Sequence, residues 1–355
     1  MSFRSKRVIF ITPFYMIFQF FLLKYLLLLF GGLNDVYLII LSVLIGLIHC
    51  IPMFFEAKKS TIVGRFLTTV DGIWMWMSVM FLIDILIIYI IGTFMMLLFS
   101  VTLGLILIVP VLGLYNFYKA NKLVINEKTL KIDDLLRDIN IAHLSDIHFG
   151  SIRHKKTIKS VAKKLKELEG ICELAIISGD LADGSSTVEP DDFLAFKDVE
   201  MPIVFTPGNH DFYPGIDNVL LACKNAEIIV LDNERKEFGD LSIFGLTFSF
   251  GDRSIPKLDE NCLNSSLINI INYHVPYYWG EFSKLGFDIQ LSGHTHGGQF
   301  YPVVWFSDMM FGYNRGLFKN KSGKYLHVTT GVGSMDTPMR WGTDSEIVIL
   351  KLRKS

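Results

Sequence analysis

The 355-residue chain is poor in cysteine and in charge. Its four cysteines, Cys50, Cys172, Cys223 and Cys262, stand far apart and form no C-x-x-C pair. That spacing offers neither a disulfide framework nor a thiolate zinc site, and fits small buried residues in a reducing compartment. Charged residues make up 19% of the chain and the formal net charge is -1, which argues against a protein held on nucleic acid by bulk electrostatics. No small-residue cleavage site follows the first apolar run, and the run is too long for a signal-peptide core. It therefore reads as an anchor.

Hydrophobic residues make up 51% of the chain, unevenly distributed. Residues 1–118 carry seven Lys/Arg and four Asp/Glu, and residues 119–355 hold the other 27 and 31. Two domains follow: a transmembrane region, 1–118, and a second domain, 119–355, large enough for one core. A membrane-spanning helix needs about 20 mostly apolar residues. Four stretches qualify, at about 8–30, 36–55, 69–91 and 94–118, with Gly92-Thr93 predicting a tight hairpin between the last two. Basic residues gather at alternate ends: Arg4, Lys6 and Arg7, then Lys58, Lys59 and Arg65, then Lys119 and Lys122. By the positive-inside rule the N-terminus and the second domain are both expected in the cytoplasm. Two charges, Lys24 and Asp84, fall inside spans at similar depth. Either they pair in the bundle interior or Lys24 snorkels to the outer interface.

In the second domain, apolar runs predict strands at 139–145, 174–179, 202–206, 227–231, 241–250, 267–273, 287–292, 325–330 and 346–352. The run 154–169 predicts a helix with lysines on one face, and further helices are expected near 215–224 and 277–285. This is an α/β layered pattern, whose chemistry collects at the carboxyl ends of strands. Five polar clusters sit at such ends: SDIHFG with Asp146 and His148; GDLADG with Asp180 and Asp183; PGNHDFY with Asn209, His210 and Asp211; YHVP with His274; and GHTHGGQ with His294 and His296. Any one cluster is an ordinary turn. Together they supply carboxylate, imidazole and amide donors without thiolate, a set that suits Mn, Fe, Zn or Mg. The donors exceed what one ion can use, which points to two divalent ions sharing a carboxylate.

D-x-H, GDxxD, GNHD, a lone His and GHxH, in that order, resemble the calcineurin-like metallophosphoesterases over about 123–355. GHTHGGQ, GDLADG and the late TTGVGSMDTPMRWGTDSEIVIL resemble the membrane-associated branch of that superfamily. The resemblance implies a four-layer α/β/β/α sandwich, here preceded by a transmembrane four-helix region. It implies one metal on Asp146, His148 and His296, a second on Asn209, His274 and His294, and Asp180 bridging them. It also implies His210 above the phosphoryl group as a proton donor, with Asp211 orienting its ring, and hydrolysis of a phosphodiester or pyrophosphate by metal-bound hydroxide. Two ions about 3.5–4 Å apart make that nucleophile available near neutral pH. The Ser/Thr protein phosphatases of the superfamily carry Arg after the second Asp of GDxxD and a GNHE; Gly184 and GNHD stand here instead, against that activity.

His143 and His327 lie within predicted strands and read as core residues, and His154 as a surface one. The lysines of 155–166 either face anionic lipid or form a solvated face. The insert 303–316, with Trp305, Phe306, Met309, Met310 and Phe311, either walls a lipid-like substrate or folds into the core. Arg315 and Arg340 are candidate phosphate ligands, and Asp183 either supports the metal ligands from behind or only ties down its loop. The expected partners are a phosphate ester, either a phospholipid or a lipid-linked pyrophosphate, and the bilayer, with no nucleic acid. A soluble nucleotide substrate is the alternative within this chemistry. A metal-binding sensor or scaffold is the alternative outside it, although such a module has no need of His210.

Overall fold

Runs of apolar residues too long for a globular core form the first four helices. They are α1 (Phe3–Leu28), α2 (Asp35–Glu56), α3 (Ile62–Phe94) and α4 (Phe99–Asn121). The computed structural model describes residues 3–56, 58–133, 135–251, 258 and 260–355, without the side chains of 3–7, 53 and 260. The basic groups of Arg4, Lys6 and Arg7 lie outside the described residues. All four helices are long and apolar enough to cross a membrane. They belong to a unit comprising Met1–Lys119 and Asp336–Met339; the second unit is Ala120–Met335 with Arg340–Ser355.

Two expectations for the helices need correction. The hairpin does not form at Gly92-Thr93: α3 continues to Phe94, and the break falls at 95–98. A lone glycine costs a helix only about 1 kcal/mol relative to alanine, too little to end one. Lys24 does not pair with Asp84. Its ammonium meets the Asp35 carboxylate at 3.0 Å, with both side chains about half exposed. Asp35 opens α2, so a long flexible stem reaches a wet partner at the helix end more cheaply than a buried one. The polar contacts inside the unit include Gln19 Nε2 to Ser78 Oγ at 3.0 Å, Trp74 Nε1 to Gln19 Oε1 at 3.0 Å and His49 Nδ1 with Asp71 Oδ2 at 2.9 Å.

The second unit contains twelve strands among the described residues: β1 (Leu123–Ile132), β2 (Ile139–Leu144), β3 (Leu174–Ser178), β4 (Ile203–Thr206), β5 (Ile229–Val230), β6 (Glu234–Phe238), β7 (Leu241–Leu246), β8 (Ile268–Tyr273), β9 (Ile289–Ser292), β10 (Gly316–Lys319), β11 (Tyr325–Val328) and β12 (Ser345–Lys354). Its helices are α5 (Lys155–Lys166), α6 (Ile216–Asn225), α7 (Trp279–Leu285) and α8 (Val303–Met310). The strands form two six-stranded sheets, ordered β1-β12-β2-β3-β4-β5 and β10-β11-β9-β8-β7-β6. β2 to β5 run parallel, as do β7, β8, β9 and β11, so their carboxyl ends emerge together.

Period-two alternation sorts each strand between two cores. On β2, Ala142 and Leu144 join the core under α5 and α6, while Ile141 joins the layer between the sheets. On β8, Ile271 and Tyr273 pack with Phe282 of α7, and Ile268 and Ile270 face the inter-sheet layer. The result is helix, sheet, sheet, helix: the α/β/β/α sandwich expected from the resemblance.

At the carboxyl end of the inter-sheet layer the pattern turns polar. His143 follows Ile141 on the same face, as Ser178 follows Ile176, Thr206 follows Val204, Asn272 follows Ile270 and His327 follows Tyr325. His143 and His327 are core residues, as expected, but they contact each other, Nδ1 to Nδ1 at 2.6 Å. Burial, and then the neighbouring His327, holds His143 well below the usual imidazole range; burial takes His327 down to about 4, with Glu346 opposing and Lys128 assisting. Both are therefore neutral in the fold and protonated in the unfolded chain below about 6.5. Protons bound only by the unfolded chain favour unfolding, so stability is lost as pH falls from about 6.5 towards 4. The His143→Leu/His327→Leu double variant, with chelator present, is expected to lose thermal midpoint more gently over pH 7 to 4.5 than wild type. The difference has an upper limit of about 1.4 kcal/mol per pH unit per histidine. Equal slopes would dismiss this account.

Candidate metal centre

Strand ends of both sheets meet here. The first sheet supplies Asp146 and His148 after β2, Asp180 after β3, and Asn209, His210 and Asp211 after β4. The second supplies His274 after β8 and His294 and His296 after β9. Five of these residues hold left-handed backbone: Asp146 (φ 51°), His148 (53°), Asp180 (54°), His294 (72°) and His296 (50°). Such conformations are unfavourable for residues with a Cβ, and they persist only where the surroundings impose them, commonly at functional sites. Two glycines permit the crowding. A Cβ on Gly179 would stand 2.5 Å from the His274 ring, and one on Gly293 would stand 2.3 Å from Asp146 Oδ2.

The donor atoms converge in two groups. In the first, His148 Nε2 and His296 Nε2 stand 3.1 Å apart, and Asp146 Oδ1 lies 3.6 Å from the former and 3.3 Å from the latter. In the second, His294 Nδ1 is 3.1 Å from Asn209 Oδ1 and 3.2 Å from His274 Nε2. Asp180 Oδ2 belongs to both, at 3.0 Å from His274 Nε2 and 3.9 Å from His148 Nε2. The other Asp180 oxygen accepts from the His210 amide at 2.8 Å, and Asp146 Oδ2 accepts from the His294 amide at 3.0 Å, so each carboxylate is held by one oxygen and presents the other. His274 is aimed by its far nitrogen, whose Nδ1–H donates to the Ser178 carbonyl at 2.7 Å.

Burial opposes charge on every imidazole here, and the carboxylates decide where it is kept; at His148, Asp146 and Asp180 raise the pKa in spite of burial. Burial is outweighed at His274, where Asp180 pushes the pKa up to about 10. Burial, with His274 adding to it, takes His294 down to about 4; burial also takes His296 to about 3, against Asp146. Asp180 is itself drawn down to about 2 by His274, in spite of burial.

His210 is half-buried, with its ring edge-on to His148 and to Tyr213 at 4.9 Å each. Its Nδ1 faces the Asp183 carbonyl at 3.3 Å. Asp211 does not orient that ring. Its carboxylate accepts three backbone amides, from Asp180 and Ala182 at 2.9 Å and Gly208 at 2.8 Å, and so clamps two site loops together. Burial and then Asp180 push its pKa up, against the amide donors from Ala182 and Gly208 that favour its ionised form.

Neither arginine is free to bind phosphate. Arg340 is fully buried on the carbonyls of Thr330, Gly331 and Gly333, and Arg315 engages Asp308 and the Gly297 carbonyl. Arg340 does serve the site indirectly: the loop it holds sends the Gly333 amide to the Asp146 carbonyl at 2.6 Å. Asp183 ties its own loop, Oδ1 to the Ser185 amide at 2.6 Å. His154 is half-buried, its ring 4.7 Å from Phe149. In the insert, α8 buries Val304 and Ser307, but the apolar residues Trp305, Phe306, Met309 and Met310 do not fold into the core: all are at least 60% exposed. Beyond α8, Phe311 brings its ring within 6.2 Å of His294, and with Tyr277 and Tyr313 it lines a groove of about 220 Å³.

The donor set fits a hard or borderline divalent ion. Groups of three at Asp146, His148 and His296, at Asp180, His274 and His294, and at His148, Asp180 and His210 each bring their donor atoms within 4.8 Å of one another. Asp146 Oδ1 is buried with no hydrogen-bond partner, an expense that a cation would remove.

Residues 139–298 match the family model described as calcineurin-like phosphoesterase. An uncharacterized metallophosphoesterase of Helicobacter pylori is 27% identical over 236 residues, covering 64% of this chain and 63% of that one. One of Campylobacter jejuni is 30% identical over 232 residues, covering 63% and 62%. A transmembrane protein with metallophosphoesterase domain, from Danio rerio, is 27% identical over 276 residues, covering 70% and 61%. The chain thus spans about three fifths of the length of these curated relatives.

If the two groups hold ions, Mn²⁺ at about a hundred times its dissociation constant should stabilise the fold by about 2.7 kcal/mol per site. A rise in thermal midpoint on adding Mn²⁺, reversed by chelator, is the expected result; an unchanged midpoint would tell against a metal centre.

Proposed function

The chain belongs to the calcineurin-like phosphoesterases, and from that premise we propose that it hydrolyses a phosphodiester or pyrophosphate with two divalent ions. One ion would rest on Asp146, His148 and His296, the other on Asn209, His274 and His294, with Asp180 between them. The observation that carries this reading is the shared oxygen: Asp180 Oδ2 approaches both donor groups. When bound, such a pair lowers the pKa of water and offsets the charge that builds up on phosphoryl oxygens.

The remaining chemistry falls to the chain's own residues. His210 donates a proton to the leaving oxygen from Nε2. Its Nδ1–H rests on the Asp183 carbonyl, which selects the ring orientation. Asp211 holds the loops carrying Asp180 and His210 at fixed separation through three amides. The left-handed turns keep the ligands pre-formed, so no reorganisation is needed when the substrate arrives.

A lipid-linked substrate is favoured over a soluble nucleotide. The exposed apolar residues of α8 lead along the chain to Phe311 beside His294, a wall suited to an acyl or isoprenoid chain. Four helices able to cross a membrane would keep the site near such a substrate. The positive-inside pattern supports a cytoplasmic position for the phosphoesterase domain.

With Mn²⁺, purified protein is expected to turn over bis-p-nitrophenyl phosphate, and Asp180→Asn to lower kcat/KM by about 10³-fold, since several kcal/mol of charge stabilisation are lost. Mutant and wild-type rates that coincide would defeat the proposal. Saturable Mn²⁺ binding without turnover of this ester, phospholipids or nucleotides would leave a binding domain instead. His210→Asn is expected to slow esters with poor leaving groups by about 10²–10⁴-fold and p-nitrophenyl esters much less; equal slowing would deny His210 the proton. A C-terminal fluorescent protein that matures only in the cytoplasm should light up, and a dark fusion would reverse the orientation.

A further inference from the structure

Four residues of the first sheet and three of the second supply the candidate ligands, so the two groups keep their geometry only if the sheets do not slide. Most of the inter-sheet layer is aliphatic: Ile141, Ile176, Val204, Ile270 and Ile289 among others. Apolar contact is non-directional and sets no register finer than side-chain packing. The polar residues at the carboxyl end of the layer are different.

His143 Nε2 meets Ser178 Oγ at 2.7 Å, and Ser178 Oγ–H donates to Asn272 Oδ1 at 2.5 Å. Asn272 Nδ2 donates to Thr206 Oγ1 at 2.9 Å and to the Ile177 carbonyl at 3.1 Å. The protons can be placed in only one direction along this chain. Ser178 has spent its hydrogen on Asn272, so His143 Nε2 must carry the hydrogen between them. His143 Nδ1 is then a lone pair, and His327 Nδ1 must donate to it. The hydrogens run one way, from His327 through His143 and Ser178 to Asn272, which in turn donates to Thr206. β2, β3 and β4 of one sheet are thereby joined to β8 and β11 of the other.

The placement follows the ligands. Ser178 stands two residues before Asp180, Asn272 two before His274, His143 three before Asp146 and Thr206 three before Asn209. The Ser178 carbonyl also takes the His274 Nδ1–H, so one residue ties both sheets at the bridging position. We propose that Asn272, Ser178 and Thr206 are positioning residues for the metal centre, a directional latch that fixes the sheet offset and hence the spacing of the two ion sites. The inference rests on the dinuclear reading above, and the experiment separates the two.

The full chain, in detergent, is compared as wild type, Asn272→Leu, Ser178→Ala, Thr206→Val and Thr206→Ser. Three readouts are taken: Mn²⁺ stoichiometry and affinity by equilibrium binding, the electron paramagnetic resonance spectrum of the loaded protein, and the thermal midpoint without metal. Wild type should bind two Mn²⁺ and give an exchange-coupled spectrum. Asn272→Leu should weaken the second Mn²⁺ by about tenfold or more and lose the coupling, because one apolar side chain removes three directional bonds. Thr206→Val, equal in shape, should cost about threefold, and Thr206→Ser should restore wild-type binding. Should Asn272→Leu fail to fold, Ser178→Ala and Thr206→Val decide. Variants with lowered midpoints but two wild-type Mn²⁺ and an unchanged coupled spectrum would make the latch merely structural and overturn the inference. A wild type that binds no Mn²⁺ would instead bring down the dinuclear reading itself.

Discussion

Nitrogen and oxygen atoms with unshared electron pairs stand about 3 Å apart around two points, away from bulk water. His148 Nε2 opposite His296 Nε2, and His294 Nδ1 opposite Asn209 Oδ1, are arrangements in which a hydrogen serves one contact and leaves its neighbours mutually repulsive. Five of the residues add left-handed backbone. At about 1 kcal/mol or more each, that strain alone is comparable with a good part of a domain's net stability. Asp and His tolerate the conformation better than most side chains, which limits the penalty without removing it. A group that turns repulsion into attraction would relieve these unfavourable choices, and divalent cations would do that for this donor set.

The architecture makes such a cluster sustainable. Parallel strands end together, so residues distant in sequence arrive side by side, and two sheets back to back bring two sets of ends to one place. The loops are then locked from outside the site. Asp211 takes three amides, Arg340 takes three carbonyls of the loop behind Asp146, and each ligand carboxylate spends one oxygen on a backbone N–H. Backbone partners are suited to this work because they carry no rotamer freedom of their own. The candidate ligand side chains are thus placed by groups that are not themselves candidate ligands.

That division explains what could be read from sequence. All seven candidate ligands sit in short runs at the ends of apolar strands, where residue type and place in the chain speak together. The strands missed, β1, β6 and β10, are the ones without that contrast. LVINEKTLKI and ERKEF are edge or exposed segments rich in charge, and GLFK is four residues long. Supporting roles were less legible because they depend on three-dimensional direction. Asp211 beside His210 in sequence invites pairing of their side chains, yet the carboxylate turns to amides of other loops. Arg340 in a late glycine-rich stretch invites a phosphate, yet it is sealed among carbonyls. Lys24 and Asp84 match in depth, yet Asp35 is nearer to water. The polar layer of His143, Ser178, Thr206, Asn272 and His327 carries a faint signal, one polar residue closing the buried face of each strand. It becomes meaningful only once those faces are known to meet.

Charge places a last constraint on what the site can accept. Asp146 and Asp180 are both held ionised, Asp180 down to about 2, while His274 is pushed up to about 10 and His148 is raised by Asp146 and Asp180 against burial. Without ions, two carboxylates therefore face imidazoles inclined to keep their protons, and the centre carries no net positive charge to draw a phosphate. On the dinuclear proposal, two divalent ions would need His148 and His274 as neutral ligands, so their protons would leave. Four positive charges would then stand against two negative ones, and the same cavity would become an anion receptor with two unbalanced positive charges. The switch would be sharp because the cluster is buried, where water screens neither sign. With both arginines already committed to the backbone and to Asp308, such ions would be the attraction the site offers to a phosphoryl group. On that proposal, selectivity among phosphate esters would come from what surrounds the cluster, the aromatic groove at Phe311 and the exposed apolar helix that precedes it.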